Sequence, residues 1–112
     1  MIARVWNGKV LIKNAEVYQQ YLMDTGITDY KKMAGNKGVQ LLCRKDDEYA
    51  YFTVTTYWES IDQIKLYAEK NIEQAKYYSE DEKYLIDIEY ILNHYKVVYS
   101  EIKDSFVCKQ ED

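Results

Sequence analysis

The chain has 112 residues, 47% hydrophobic and 30% charged, with a formal net charge of −4. That is the size and make-up of one globular domain with apolar material for a single core, and no apolar run is long enough to span a bilayer. An acidic balance without a basic stripe repels phosphate backbones, which argues against nucleic acid as a partner.

Ile2 to Ile12 is extended in character, with Ile2, Arg4, Trp6 and Val10 alternating against Ala3, Val5, Asn7 and Leu11. Asn7-Gly8 allows two readings. Asn-Gly between alternating apolar residues marks a hairpin turn; the alternative is one strand with Gly8 at a bulge or close backbone approach. The arms of such a hairpin would be short, so the single strand is preferred. Asn14 is placed to cap a helix whose apolar face is Ala15, Val17, Tyr18, Tyr21, Leu22 and Thr25. Gly26 fits its C-terminal stop, with a short helical turn within Ile27 to Met33 after it. Ala34 to Gly38 reads as a loop, and Val39 to Lys45 as the second strand. Asp46-Asp47 then turns the chain into a long third strand ending at Trp58.

That strand, EYAYFTVTTYW, is rich in aromatic and β-branched residues. Tyr49, Tyr51, Thr53, Thr55 and Tyr57 point one way; Ala50, Phe52, Val54, Thr56 and Trp58 point the other. Both sets can be buried, which predicts a central strand covered on two faces. Ser60 and Gln63 form a capping box for the next helix. Its inner face is Ile61, Ile64, Tyr67 and Ala68, and helical spacing resumes at Ile72, Ala75 and Tyr78. Ser79-Glu80-Asp81-Glu82 reads as an exposed acidic stretch, with Ser79 as a candidate cap for one more helical turn. Tyr84 to Ile91 is open between strand and loose segment, and His94 to Tyr99 is the last strand. Residues 101–112 form a tail outside the 1–100 domain, with Ile102, Phe106 and Val107 as docking residues.

Cys43 and Cys108 are isolated thiols and His94 is the one histidine, so no zinc-type metal site is expected. MIARVWNGK lacks the long apolar segment of a signal peptide, which makes a cytoplasmic location the expectation. Tyrosine is abundant, at 13 residues, and suits half-wet places such as pockets and interfaces. The order strand, helix, strand, strand, helix, strand predicts an α+β class: a ferredoxin-like βαββαβ sandwich. Its antiparallel four-stranded sheet has the first and third strands in the centre and helices on one face. The other face would be a substantial apolar patch, and a soluble monomer rarely leaves one bare. A homodimer covering that face is therefore expected.

MIARVWNGKV, AGNKGVQLLCR, TTYWES, IEQAKYYSEDE and NHYKVV are similar to the antibiotic biosynthesis monooxygenase superfamily, over about residues 1–99. The resemblance implies a dimeric α/β barrel with a pocket between each sheet and its own helices. It implies cofactor-free oxygenases acting on small aromatic or polycyclic phenols, and a haem-degrading branch. For the haem branch, Asn7 matches the asparagine of the first strand. Tyr67 stands where the tryptophan would be and Tyr77 where the histidine would be, so that branch's haem ligand is replaced and no cofactor is expected. For an oxygenase, Asn7 is the candidate to hold an oxyanion and His94 the candidate base. Trp6, Trp58, Tyr67, Tyr77 and Tyr78 are candidate substrate-binding walls. Each has a plainer role beside this one: Asn7 as a turn or bulge residue, His94 as a structural histidine, the aromatics as core.

Two rivals share the strand order. RNA-recognition domains stack bases on strand aromatics, but Asp47 and Glu48 replace the basic residue and glycine of their signature. A non-catalytic small-molecule-binding or stress-related dimer stands level with an enzyme, because fold does not fix function.

Overall fold

The computed structural model describes residues 1–68, 72, 73, 75, 77–103 and 108, the side chains at 67 and 68 excepted. Strand β1 spans Ile2–Leu11, followed by a tight turn at Ile12–Asn14 and helix α1, Ala15–Leu22. A widened helical turn, Met23–Ile27, leads into α2, Thr28–Lys32. Then come β2 (Asn36–Lys45), β3 (Tyr49–Trp58), α3 (Ile61–Ala68), α4 (Asp81–Tyr84), β4 (Leu85–Ile86) and β5 (Asn93–Lys96). The sheet order is β2-β3-β1-β4, with β5 also on β1, and every pairing is antiparallel. The first and third strands are central, as expected for a ferredoxin-like α+β sandwich.

The β1–β3 ladder runs unbroken from Ile2↔Trp58 to Leu11↔Tyr49. Asn7-Gly8 is thus inside one strand, and Gly8 is there for a close approach. Trp6, two residues away on the same face, lies over it, and a Cβ on Gly8 would stand 2.4 Å from the indole Cη2. In β3 every second residue from Ala50 to Trp58 is buried, and the alternate ones are half-buried. Cover on both faces therefore fails within one protomer: only the Phe52–Trp58 side meets helices. Val10, Ala15, Tyr18, Leu22, Ala50, Phe52 and Leu85 form the main core, and Trp58 with Ile64 a second one under α3. Burying each large side chain stabilises by roughly 1.5–3 kcal/mol before ordering costs.

The helix-free face is amphipathic rather than simply apolar. Leu42 is 52% exposed on it. Lys9 sits over the Tyr49 ring and Arg44 over the Tyr51 ring. Tyr57 donates to Gln40 Oε1 at 3.1 Å. The tyrosines set aside charge on this face by stacking with it.

Several local expectations are corrected. Asn14 makes no side-chain cap, because the Ile12–Asn14 turn starts the helix ahead of it. Gly26 does not stop the helix. Thr25 donates back to the Tyr21 carbonyl and Thr28 to that of Met23, both at 2.7 Å, and the turn widens instead of ending. The loop before β2 shrinks to Ala34-Gly35. A Cβ on Gly35 would meet Gln63 at 2.4 Å, so the glycine lets the start of α3 settle there. The Ser60 cap of Gln63 N–H forms, at 3.4 Å. Helix does not resume at Ile72, Ala75 or Tyr78; Ala75 N–H instead bonds the Tyr90 carbonyl at 2.9 Å.

The fourth sheet position is shared. β4 pairs with Lys9 and Val10, β5 with Ile2 to Val5, and residues 87–92 leave the ladder between them. Asp87, at φ 50°, makes the departure. β5 ends at Lys96, short of Tyr99, and Val98 and Tyr99 are exposed. In the tail Ile102 is exposed; Phe106 and Val107 lie outside the described residues.

Candidate functional site

Between the helix-side face of the sheet and α1, α2 and residues 77–81 lies a cavity. Its volume is about 30 Å³, or about 460 Å³ when the adjoining open solvent is counted. The cavity is about the size of one water; a larger molecule must extend toward solvent. Five aromatic side chains line it: Trp6, Tyr18, Tyr30, Tyr77 and Tyr78. The widened turn contributes Thr25, Gly26 and Ile27, and the sheet contributes Val54. Asp81 is the one carboxylate among the described wall residues, which include no Lys, Arg or His.

Strand alternation aims Trp6 and Val54 at the helices. Trp6 Nε1–H donates to the Tyr77 hydroxyl at 3.1 Å, and their rings meet edge-on at 6.4 Å. The Tyr77 hydroxyl donates onward to the Glu89 carbonyl, and its ring meets Tyr90 edge-on at 5.7 Å. Leu92 N–H bonds the Glu73 carbonyl at 2.7 Å. The excursion at 87–92 thus holds the cavity's outer wall in place. On the other side, Asp81 is 3% exposed. Its Oδ1 accepts the Tyr18 hydroxyl at 2.9 Å and its Oδ2 the Tyr78 backbone N–H at 2.6 Å. The Tyr78 hydroxyl donates to Asp29. Burial, and then the neighbouring Asp81 charge, push the Tyr18 hydroxyl far above its ordinary pKa. Burial also raises Tyr77. Both remain neutral donors at physiological pH.

The structure brings together Trp6, Tyr77 and Tyr78 from the residues picked out in the sequence. Trp58 is fully buried just behind the wall: its ring meets Tyr30 edge-on at 6.5 Å and its Nε1–H donates to Thr56 at 2.8 Å. Tyr67 has its side chain outside the described residues. Asn7 does not reach the cavity. It lies on the opposite, helix-free face, where its Oδ1 accepts the Thr53 hydroxyl at 2.7 Å; alternation puts Trp6 and Asn7 on opposite sides. His94 faces the helix side opposite Arg4 but is not in the cavity wall. Its Nε2 lies 3.1 Å from Arg4 Nη1. A guanidinium only donates, so Nε2 accepts and the ring proton sits on Nδ1. Burial, then the Arg4 charge, hold His94 below its ordinary pKa. That lone pair is engaged, which leaves Nε2 unsuited to take a substrate proton.

Tyr18, Tyr30 and Asp81 were missed in the sequence. Tyr18 carried a signal: a tyrosine on an apolar helix face needs a partner for its hydroxyl. Asp81 carried none, hidden in a run of acids.

No protein-family model matches the chain, and no curated protein matches it significantly. Solved structures do. A Bacillus cereus protein named as an antibiotic biosynthesis monooxygenase superposes with a TM-score of 0.63 at 16% identity, over 91% of this chain and 97% of its own. The chain has the antibiotic biosynthesis monooxygenase fold. An arginine-to-serine variant of MhuD, bearing two manganese protoporphyrin IX molecules per active site, superposes with TM-score 0.56 at 16% identity, over 92% and 100%. A haem-free haem-degrading protein of Mycobacterium tuberculosis does so with TM-score 0.56 at 19% identity, over 91% and 96%.

Two neighbours with this fold are thus linked to haem, yet the residues here do not fit one. The wall has no histidine, and the cavity has a volume of about 30 Å³. The Tyr77 phenol is raised by burial, away from the phenolate that ligates iron. Among the described residues, no group of three or more His, Cys, Asp or Glu is placed to hold a metal. No helix of the described residues is long and apolar enough to cross a membrane.

Proposed function

We propose that this protein is a homodimeric, cofactor-independent monooxygenase-type protein that takes a small phenol-type aromatic molecule into the Trp6–Tyr77–Asp81 cavity. The observation that carries the reading is the wall itself: five aromatic rings around one buried carboxylate, on a monooxygenase-like fold. Rings stack against a flat aromatic guest, and the carboxylate accepts a hydrogen bond from its donor group. The widened turn Met23–Ile27 lends Thr25, Gly26 and Ile27 to the wall; such turns recur at functional sites.

The reaction is the oxidation of an activated methylene on an electron-rich ring to a carbonyl by dioxygen. One oxygen atom enters the product and the other leaves as water with the two methylene hydrogens. The substrate supplies every electron, so the balance needs no added reductant. The fold's part is to hold the ring in a dry place. A second copy covers the helix-free face, where Leu42, Tyr49, Tyr51 and Tyr57 stand.

The alternative, a non-catalytic binding dimer, is favoured by one observation: the only histidine is committed to Arg4 and stands outside the wall. Aerobic incubation with polyphenols, without metal or flavin, separates the two. Oxygen uptake that Trp6→Ala abolishes supports the oxygenase; saturable binding without uptake supports the binding protein.

A further inference from the structure

Asp81 is 3% exposed, and its two hydrogen bonds come from neutral donors, the Tyr18 hydroxyl and the Tyr78 amide. Among the described residues no cation pairs with it. Buried carboxylates are ordinarily matched by a positive charge, because isolated burial of charge is costly. Each carboxylate oxygen has room for a second donor. Trp6, Tyr30 and Tyr77 line the same cavity, and aromatic ring faces attract cations. A neutral phenol supplies one more hydrogen bond but no counter-charge, and a porphyrin carboxylate supplies neither; a positively charged head group supplies both.

We infer that the guest of this cavity carries a protonated amine that pairs with Asp81, its aromatic body lying outward toward solvent. The inference rests on the reading of this cavity as the binding site and narrows its substrate class to aromatic amines. The sizes agree. The cavity, of about 30 Å³ and open to solvent, takes a small head group and leaves a larger body to lie outward. The same charge turns away carboxylates and phosphates.

The test is calorimetric titration of the wild-type chain with three probes alike in shape: phenethylammonium, phenethyl alcohol and hydrocinnamate. The ammonium is expected to bind at least roughly tenfold tighter than the alcohol, and hydrocinnamate most weakly. In Asp81→Asn the preference is expected to vanish while the alcohol still binds. Equal affinity for ammonium and alcohol, or tighter binding of hydrocinnamate, overturns the inference while leaving the cavity as a site. Failure of all three probes, or binding that Trp6→Ala leaves unchanged, overturns the site and the inference together. Should Asp81→Asn not fold, Tyr18→Phe keeps the carboxylate and removes a competing donor; it is expected to widen the preference for the ammonium, and a narrowed preference overturns the inference.

Discussion

The Tyr18 hydroxyl lies 2.9 Å from Asp81 Oδ1, joining two positions 63 residues apart in the chain. This contact ties α1 to the turn that closes the cavity. Tyr18→Phe keeps the ring in the core but leaves a buried carboxylate short of one donor. A loss of about 1–3 kcal/mol in unfolding free energy is expected from urea titration. A change within a few tenths would show that water replaces the hydroxyl freely.

Gly8 and Trp6 make a second dependent pair. A Cβ at Gly8 would meet the indole Cη2 at 2.4 Å, Cζ2 at 2.6 Å and Leu85 Cδ2 at 2.9 Å. Gly8→Ala must therefore move the Trp6 ring. It is expected to destabilise by about 1–3 kcal/mol and to shift tryptophan fluorescence, since Trp58 is shielded in the other core. An unchanged spectrum with unchanged stability would contradict the packing described.

The His94–Arg4 pair predicts a pH dependence. Folding holds the His94 pKa below its ordinary value of 6.5, through burial first and the Arg4 charge second, with Glu73 opposing. Below that value the unfolded chain takes up a proton that the folded chain resists. The stability of the neutral form is therefore full above pH 6.5 and is lost as pH falls through it. The melting temperature of the wild type is expected to fall faster than that of His94→Asn between about pH 7.5 and 5.5. Parallel curves would remove His94 from the account.

The helix-free face predicts the assembly. Thr55, at the middle of β3, pairs with Val5 and Gln40 across the two neighbouring strands. Light scattering is expected to give a mass near twice 13.4 kDa. Thr55→Arg, which adds charge at the centre, is expected to give monomers at micromolar concentration. A wild-type monomer would leave the half-buried tyrosines of this face without a purpose.

Much of this architecture was legible in the residues. Alternation in Tyr49–Trp58 gave the central strand but not which of its two sets meets the helices, because a period of two separates the faces without ranking them. The Asp46 turn was equally plain: its Oδ1 accepts the N–H groups of Glu48 and Tyr49, at 2.8 and 2.7 Å. What failed were features set by tertiary contact. Gly26 reads as a stop, yet two threonine hydroxyls carry the helix past it. The last edge strand reads as blurred because Asp87 turns the chain out of the ladder. At the site, the aromatics Trp6, Tyr77 and Tyr78 were legible as pocket lining. Asp81 was not, since its burial depends on Tyr18 far upstream and no local pattern encodes it. Asn7 entered through the family resemblance, although alternation already set it on the opposite face from Trp6.

The indole N–H of Trp6 reports most directly on whether the cavity beneath the sheet takes a guest. Trp58 supplies an internal control, with its own N–H held by Thr56 at 2.8 Å in the separate core. On titration with phenethylammonium, the Trp6 indole resonance in a two-dimensional nitrogen–proton spectrum is predicted to move saturably while that of Trp58 stays put. Movement confined to amides of the helix-free face, with the Trp6 resonance still, would contradict the account.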